Sequence, residues 1–396
     1  MNTTEIMDMT EKYYLPVFIR NKIALDHGVG TKLYDADGKE YTDFFAGIAV
    51  NALGYAYPAV VKAICEQAGK LIHCSNLYYT EIQAKCVAKI SEVSTFDKVF
   101  LCNSGAEANE GAIKLALKYG TGKNPKKFKF VTALESFHGR TMETLTATGQ
   151  EHYHEGLGPL PVGFSYVPYG DMDALEKAMD DEVCGLLLEP IQGEGGVHVP
   201  PDGYLAKAKE LCEKHDALLI MDEVQTGVCR SGKWFAWMLS GVKPDIMTMA
   251  KAIGGGIPMG AFAVDDKLAH VFKPGDHGTT FGGNVLACAA SYATLCALQD
   301  NNILDAVVKQ GTYFKTKMQE LQAKYPDKIT DVRGSGLILG MELAKPGAPV
   351  VDKCLAKGFI INCTVGNVLR FVPPLIISKA EIDGLIAALG EIFQEF

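Results

Sequence analysis

The sequence predicts an α/β fold: a mostly parallel sheet wrapped by helices, with a smaller α+β unit attached. Three observations carry that prediction. Short, continuous apolar runs alternate with helix-period segments through the middle of the chain. A turn signal sits between two short alternating runs near the N-terminus. After about residue 330, short strands mix with helices.

Residues 31–45, TKLYDADGKEYTDFF, place Asp37-Gly38 between two alternating runs, which is a hairpin pattern. The central runs are 98–102 (KVFLC), 129–132 (KFVT), 185–189 (GLLLE), 218–222 (LLIMD), 245–249 (DIMTM) and 261–264 (AFAV). Apolar runs of this length suit strands covered on both faces. Between them, residues 108–119 put Ala108, Ala112, Leu115, Ala116 and Tyr119 on one helical face, and 204–215 forms a second such segment. Toward the C-terminus, 336–342 and 368–372 read as strands. No repeat and no low-complexity tract interrupts the 396 residues.

With 38 basic and 47 acidic residues, the net charge of −9 disfavours a nucleic-acid or membrane-surface binder, which needs a basic face. The one dense basic run, Lys123, Lys126, Lys127 and Lys129 around Pro125, reads as a solvated loop. The 11 cysteines include no C-x-x-C pair, so reduced thiols in the cytoplasm are expected and no metal site is. His152 and His154 form H-x-H in a Gly/Pro-flanked loop and read as surface. The opening MNTTEIMDMTEKYY is acidic where a signal peptide is basic and apolar, and no window approaches 18 uninterrupted apolar residues.

In parallel α/β sheets, ligands sit beyond the carboxyl ends of the strands. Three such ends carry chemistry-compatible residues. Asn103-Ser104-Gly105-Ala106-Glu107 opens a helix with small residues, whose free N–H groups and dipole favour a phosphate. The alternative is an ordinary capped helix, and Glu107 competes with an anion unless it points away. Asp222-Glu223 ends a buried strand, where a carboxylate needs a cation, a protonated ring nitrogen or a salt bridge. Lys251, followed by Gly254-Gly255-Gly256, is placed to be a desolvated amine that forms a Schiff base, or else an exposed loop lysine. A phosphate cradle, a carboxylate for a ring nitrogen and a Schiff-base lysine together are what pyridoxal 5′-phosphate requires. No P-loop is present, and Gly334-Ser335-Gly336 lacks the third glycine of a dinucleotide fingerprint.

The segments FLCNSGAEANEGAIKLA, SFHGRT, LLLEPIQGEGGV, LIMDEVQTG, AKAIGGGIPMGA, GTTFGGN and LRFVPP, in this order, resemble the class III, fold-type I pyridoxal-phosphate aminotransferases. The resemblance runs from about Tyr14 to the C-terminus. It implies two domains that are not successive: a large cofactor domain, 56–287, and a small domain, 288–396, joined by the N-terminal segment 1–55. It also implies roles. Lys251 would bond the cofactor, and Asp222 would keep its ring nitrogen protonated; strand pattern alone does not choose between Asp222 and Glu223. Gln225 would meet the ring 3-hydroxyl. Phe137 and Val224 would sandwich the ring, with His138 beside it. Gly105 and Ala106 would hold the phosphate, with Ser104 near. Thr280 would reach the phosphate of the other subunit, making a homodimer.

Within the family, YTDFFAGIAVNALGYAYP and HCSNLYYT look most like the members that act on N-acetylornithine, a step of arginine biosynthesis. The implied reaction moves that substrate's terminal amine to 2-oxoglutarate. Arg140 would bind the far carboxylate. Arg370 would bind the α-carboxylate of 2-oxoglutarate and be neutralised by Glu194 in the other half-reaction. Glu189 is counted with the substrate residues. The nearest rivals act on ornithine, succinylornithine, succinyldiaminopimelate or 4-aminobutyrate. Ornithine enzymes carry a tyrosine near Gly47-Ile48, where this chain has none. A racemase or aminomutase on the same fold, and a binding-only regulator, are the rivals from other classes.

Overall fold

A computed structural model describes residues 1–396. Its centre is a seven-stranded sheet in the order Lys98–Cys102, Gly260–Val264, Ile246–Met249, Leu218–Asp222, Val183–Leu188, Lys129–Ala133, Phe164–Val167. The Val183–Leu188, Leu218–Asp222, Ile246–Met249 and Gly260–Val264 strands are buried throughout, as their unbroken apolar runs require. Phe164–Val167 escapes the sequence reading because it is an edge strand, half exposed, and shows no apolar run. The sheet is parallel except at Gly260–Val264, which pairs antiparallel with both neighbours. The connection 250–259 is too short for the crossover that parallel pairing needs, so the chain turns back on itself. Lys251 sits in that turn.

The helix read as 108–119 runs Gly105–Thr121, and the second is Tyr204–Lys214. The hairpin near the N-terminus forms from Lys32–Asp35 and Glu40–Asp43, with Gly38 at φ +85° in the turn. A strand from the far end of the chain, Phe359–Ile360, adds parallel to Glu40–Asp43. The C-terminal strands Ile329–Ser335, Ile338–Leu343, Val368–Phe371 and Asn362–Thr364 make a separate antiparallel sheet, covered by the helix Ile303–Lys324, on which the last helix, Lys379–Glu395, packs in turn. One apolar core runs from the central sheet, through Met221 and Met249, to Phe314, Phe371 and Phe393 of the C-terminal part.

Two surface expectations are corrected. Lys127 is buried, not solvated: its ammonium donates to the carbonyls of His215 at 2.6 Å and Asp181 at 3.3 Å. The long apolar stem lets a lysine cross the core edge and leave its head on carbonyls. His154 is half-buried, with Nε2 2.8 Å from the Leu145 carbonyl, whereas His152 is exposed. All 11 cysteines are unpaired. No helix is long and apolar enough to cross a membrane.

Candidate active site

The carboxyl ends of the central strands converge on a cavity of about 460 Å³. Of the residues singled out in the sequence, Ser104, Gly105, Ala106, Phe137, His138, Arg140, Glu189, Asp222, Val224, Gln225 and Lys251 all line it.

One wall is the start of the Gly105–Thr121 helix. Ser104 caps it, accepting from the Glu107 N–H at 3.2 Å. Glu107 does not block the helix end. Its carboxylate folds back onto Asn103, accepting from the backbone N–H at 2.9 Å and from Nδ2 at 2.8 Å. The N–H groups of Gly105 and Ala106 have no acceptor within the chain and belong to cavity-lining residues. A Cβ on Gly105 would fall 2.8 Å from a methyl of Val224, so this close approach of helix and loop requires glycine.

Asp222 and Glu223 point opposite ways, as neighbours on a strand must. Glu223 turns inward: it accepts from the Trp237 N–H at 2.7 Å and from the Thr226 hydroxyl, and burial pushes its carboxyl up to about 7. Asp222 faces the cavity. It accepts from Asn109 Nδ2 at 2.7 Å, His138 Nδ1 at 2.9 Å and the Val224 N–H at 3.0 Å.

Lys251 enters from the turn after Ile246–Met249 with φ +50°, a left-handed conformation that costs a non-glycine residue about 1–2 kcal/mol. Burial pushes its amine below the usual lysine range; Glu194 and Asp222 oppose this, and Arg370 adds to it. Glu189 is buried with Oε2 unpartnered, and burial, with Asp222 beside it, raises its carboxyl well above the usual range.

Arg370 lies just behind this wall, 2% exposed. Its Nη1 is 2.8 Å from Glu194 Oε1 and 3.1 Å from Gln225 Oε1, and its Nη2 is 2.8 Å from Asn362 Oδ1. Burial alone would raise the Glu194 carboxyl, but Arg370 and Lys251 outweigh it and hold it low. Arg140 is exposed at the mouth, its guanidinium 3.7 Å from the ring centroid of Tyr153 and 5.2 Å from that of Phe137. Thr280 is not in the cavity. It is exposed, beside a separate small recess lined by His73, Asn76 and Gln83.

Asn109, Asn362 and Tyr153 were missed in the sequence. Asn109 had a signal: it is a polar residue among the alanines of a helix face that has to be buried. Asn362 and Tyr153 had none, because only the tertiary fold brings them to the arginines.

Residues 17–393 match the family Aminotransferase class-III. The chain belongs to the class III aminotransferases. It is 48% identical to the acetylornithine aminotransferase of Methanothermobacter thermautotrophicus, over the full length of both chains. It is 50% identical to that of Caldanaerobacter subterraneus subsp. tengcongensis, over 97% of this chain and 98% of the relative. Among solved structures, an ornithine aminotransferase from Toxoplasma gondii, in which PLP partly occupies the active site, superposes with a TM-score of 0.94 at 34% identity, over 99% of this chain and 94% of that one. The class III family is pyridoxal-phosphate dependent, and the cavity fits that cofactor. Unpartnered N–H groups at a helix start suit a phosphate, a buried carboxylate suits a ring N–H, and a desolvated amine suits the carbonyl.

Proposed function

We propose that this aminotransferase moves the terminal amine of N-acetyl-L-ornithine to 2-oxoglutarate, giving N-acetyl-L-glutamate 5-semialdehyde and L-glutamate, a step of arginine biosynthesis. The observation that carries the reading is the Arg370–Glu194 pair, 2.8 Å apart and close to Lys251. A free arginine there would draw an α-carboxylate to the reacting centre. A neutralised one leaves the α-carboxylate of the first substrate to Arg140, so the amine at the opposite end reaches Lys251.

Pyridoxal phosphate supplies a carbonyl that bonds amines and a ring that withdraws electrons from the carbon losing its proton. The chain's residues do the rest. Gly105 and Ala106 N–H groups, with Ser104 near, hold the phosphate. Val224, fixed over Gly105, and Phe137 clamp the ring, with His138 alongside. Asp222 keeps the ring nitrogen protonated. Gln225 has its amide oxygen on Arg370 and offers its nitrogen to the ring hydroxyl. Lys251 would carry the cofactor and, once displaced from it by the substrate amine, would take the proton from the amine-bearing carbon of the substrate and deliver it to the former carbonyl carbon of the cofactor; burial, which lowers its amine, suits it to that exchange. Glu189, whose carboxyl burial raises well above the usual range, stands near it on the substrate wall. When 2-oxoglutarate enters, Glu194 swings off Arg370 and the freed fork binds the α-carboxylate.

The ornithine reading is disfavoured by residues 46–49. Ala46, Gly47, Ile48 and Ala49 all have positive φ, making a left-handed turn of small and apolar residues beside the cavity residue Val50. No side chain on it accepts a hydrogen bond from a free α-amine, and an acyl group needs no such acceptor.

Thr280 belongs in this reading to the partner subunit's site. Its loop is pinned by Asn76 Nδ2, which donates to the carbonyls of Gly282 at 2.9 Å and Thr279 at 3.3 Å, and is flanked by Leu77, Tyr79 and Phe281, which are large, apolar and exposed. Such a patch fits a homodimer face. The chain divides into a cofactor domain, 56–287, and a small domain, 288–396 with 1–55. The pairing of Phe359–Ile360 with Glu40–Asp43 supports joining the two ends. Eleven unpaired thiols support a cytoplasmic enzyme.

The test is a panel of amine donors with 2-oxoglutarate: N-acetylornithine, N-succinylornithine, ornithine, N-succinyl-diaminopimelate and 4-aminobutyrate. N-acetylornithine is expected to give the highest kcat/KM. A tenfold preference for another donor overturns the substrate, and turnover without the keto acid overturns the reaction class.

A further inference from the structure

Asp222 is 3% exposed, yet every hydrogen bond it receives within the chain comes from an uncharged donor. Oδ2 takes Asn109 Nδ2 at 2.7 Å and His138 Nδ1 at 2.9 Å, and Oδ1 takes the Val224 N–H at 3.0 Å. His138 counts as uncharged on geometry. Its Nδ1 hydrogen points at Asp222, and its Nε2 is buried with no partner. A cationic ring would bury an unpaired N–H there, while a neutral ring leaves only an unpaired acceptor.

Asn109 is the most constrained member of the group. Its amide oxygen accepts from the Thr248 hydroxyl at 2.7 Å, and its amide nitrogen also donates to the His138 carbonyl at 2.8 Å. Turning the amide over would set its oxygen against both the Asp222 carboxylate and that carbonyl. Thr248 is wholly buried and Asn109 1% exposed, so water does not substitute for either. Asn109 stands one helical turn after Gly105, on the helix whose first N–H groups open on the cavity. Thr248 stands on the strand next to that of Asp222, paired with it in register. The other charged or titratable groups facing Asp222 are Lys251 and Glu189 across the cavity.

We propose that Asn109, oriented by Thr248, is a positioning residue for Asp222: it fixes Oδ2 through a neutral donor, so that the carboxylate is left to pair with the ring nitrogen of the cofactor. The inference rests on the reading that pyridoxal phosphate binds with its ring nitrogen on Asp222. It makes one rigid helix responsible for both ends of the cofactor, the phosphate through Gly105 and Ala106 and the ring charge through Asn109.

The experiment compares wild type with Asn109→Leu, Thr248→Val and Asp222→Asn. Each apoprotein is titrated with pyridoxal phosphate, and the visible absorbance of each holoenzyme is followed against pH. Loss of a buried hydrogen bond to a charged group is expected to weaken cofactor binding by about tenfold or more in Asn109→Leu, and the pH midpoint of the absorbance change should shift in the same direction as in Asp222→Asn. Thr248→Val, which keeps the side-chain volume, should shift both in that direction by a smaller amount. It carries the test alone if Asn109→Leu does not fold. A purely structural role would lower Tm and leave the midpoint in place; that result overturns the proposal. If Asp222→Asn also leaves binding and midpoint unchanged, the underlying placement of the ring nitrogen is what fails.

Discussion

The two arginines of the site are the same residue type set to opposite tasks by their surroundings. Arg370 is buried, and its fork is divided among Glu194, Gln225 and Asn362. Arg140 is exposed and has aromatic faces, not a carboxylate, for company. A buried arginine without a counter-charge is costly, so Arg370 has to be paired whenever no substrate carboxylate is present. Glu194 is the one member of its set that carries charge, and it is half-buried. Arg140 stays hydrated and needs no mobile partner. On the proposed function, one arginine would be a switched carboxylate receptor and the other a permanent one, which suits a site that must take two substrates in turn.

The largest expected effect breaks this comparison directly. Arg370→Ala should slow the half-reaction with 2-oxoglutarate by about 100-fold, the worth of a buried charge-assisted contact, while the half-reaction with N-acetylornithine stays within about threefold. Stopped-flow absorbance separates the two, and equal losses would show that Arg370 is not switched. Next is Glu194→Gln, which leaves Arg370 permanently open. The KM for N-acetylornithine should rise by about tenfold and that for 2-oxoglutarate should fall. Its pH behaviour sharpens the point. The Glu194 carboxyl is held below its ordinary value of 4.5. A lowered carboxylate contributes above its unfolded-state value and loses that contribution only as pH falls through the folded-state value. The switch is therefore intact at all pH values above 4.5, so the KM values of wild type and Glu194→Gln should differ by a constant factor as pH is varied near neutrality.

What the sequence made legible follows the same division. Buried strands announce themselves through unbroken apolar runs, so Leu218–Asp222 was read to the residue, and the edge strand Lys98–Cys102 was read as well because its last four residues form such a run. Residues at strand ends followed, and with them Asp222, Lys251 and the Ser104–Ala106 helix start. Periodicity carries no information on side-chain partners far apart in the chain. The Asn109–Thr248 contact spans the helix and a later strand, and Asn362 meets Arg370 only because two C-terminal strands pair. The half-exposed edge strand Phe164–Val167 was missed, and the buried Lys127 misread, because local composition there is that of a surface. Choosing Asp222 over Glu223 needed the pleat of the folded strand, which turns one of the two into the core.

Arg140→Met should raise KM for both substrates by about tenfold, because each sends its far carboxylate to the same exposed fork and a solvated pair is worth less than a buried one. The smallest effect isolates what holds that fork in place. The Arg140 guanidinium lies 3.7 Å from the Tyr153 ring centroid. A cation over an exposed aromatic face contributes about 0.5–1 kcal/mol, so Tyr153→Leu should raise both KM values by about two- to fivefold with kcat unchanged. Tyr153→Phe keeps the face and removes only the hydroxyl, and should match wild type. If the phenylalanine variant loses as much as the leucine variant, the hydroxyl and not the ring face positions Arg140. Arg140 would then depend on a polar partner, as Arg370 does, and the contrast between the two arginines would narrow to their burial.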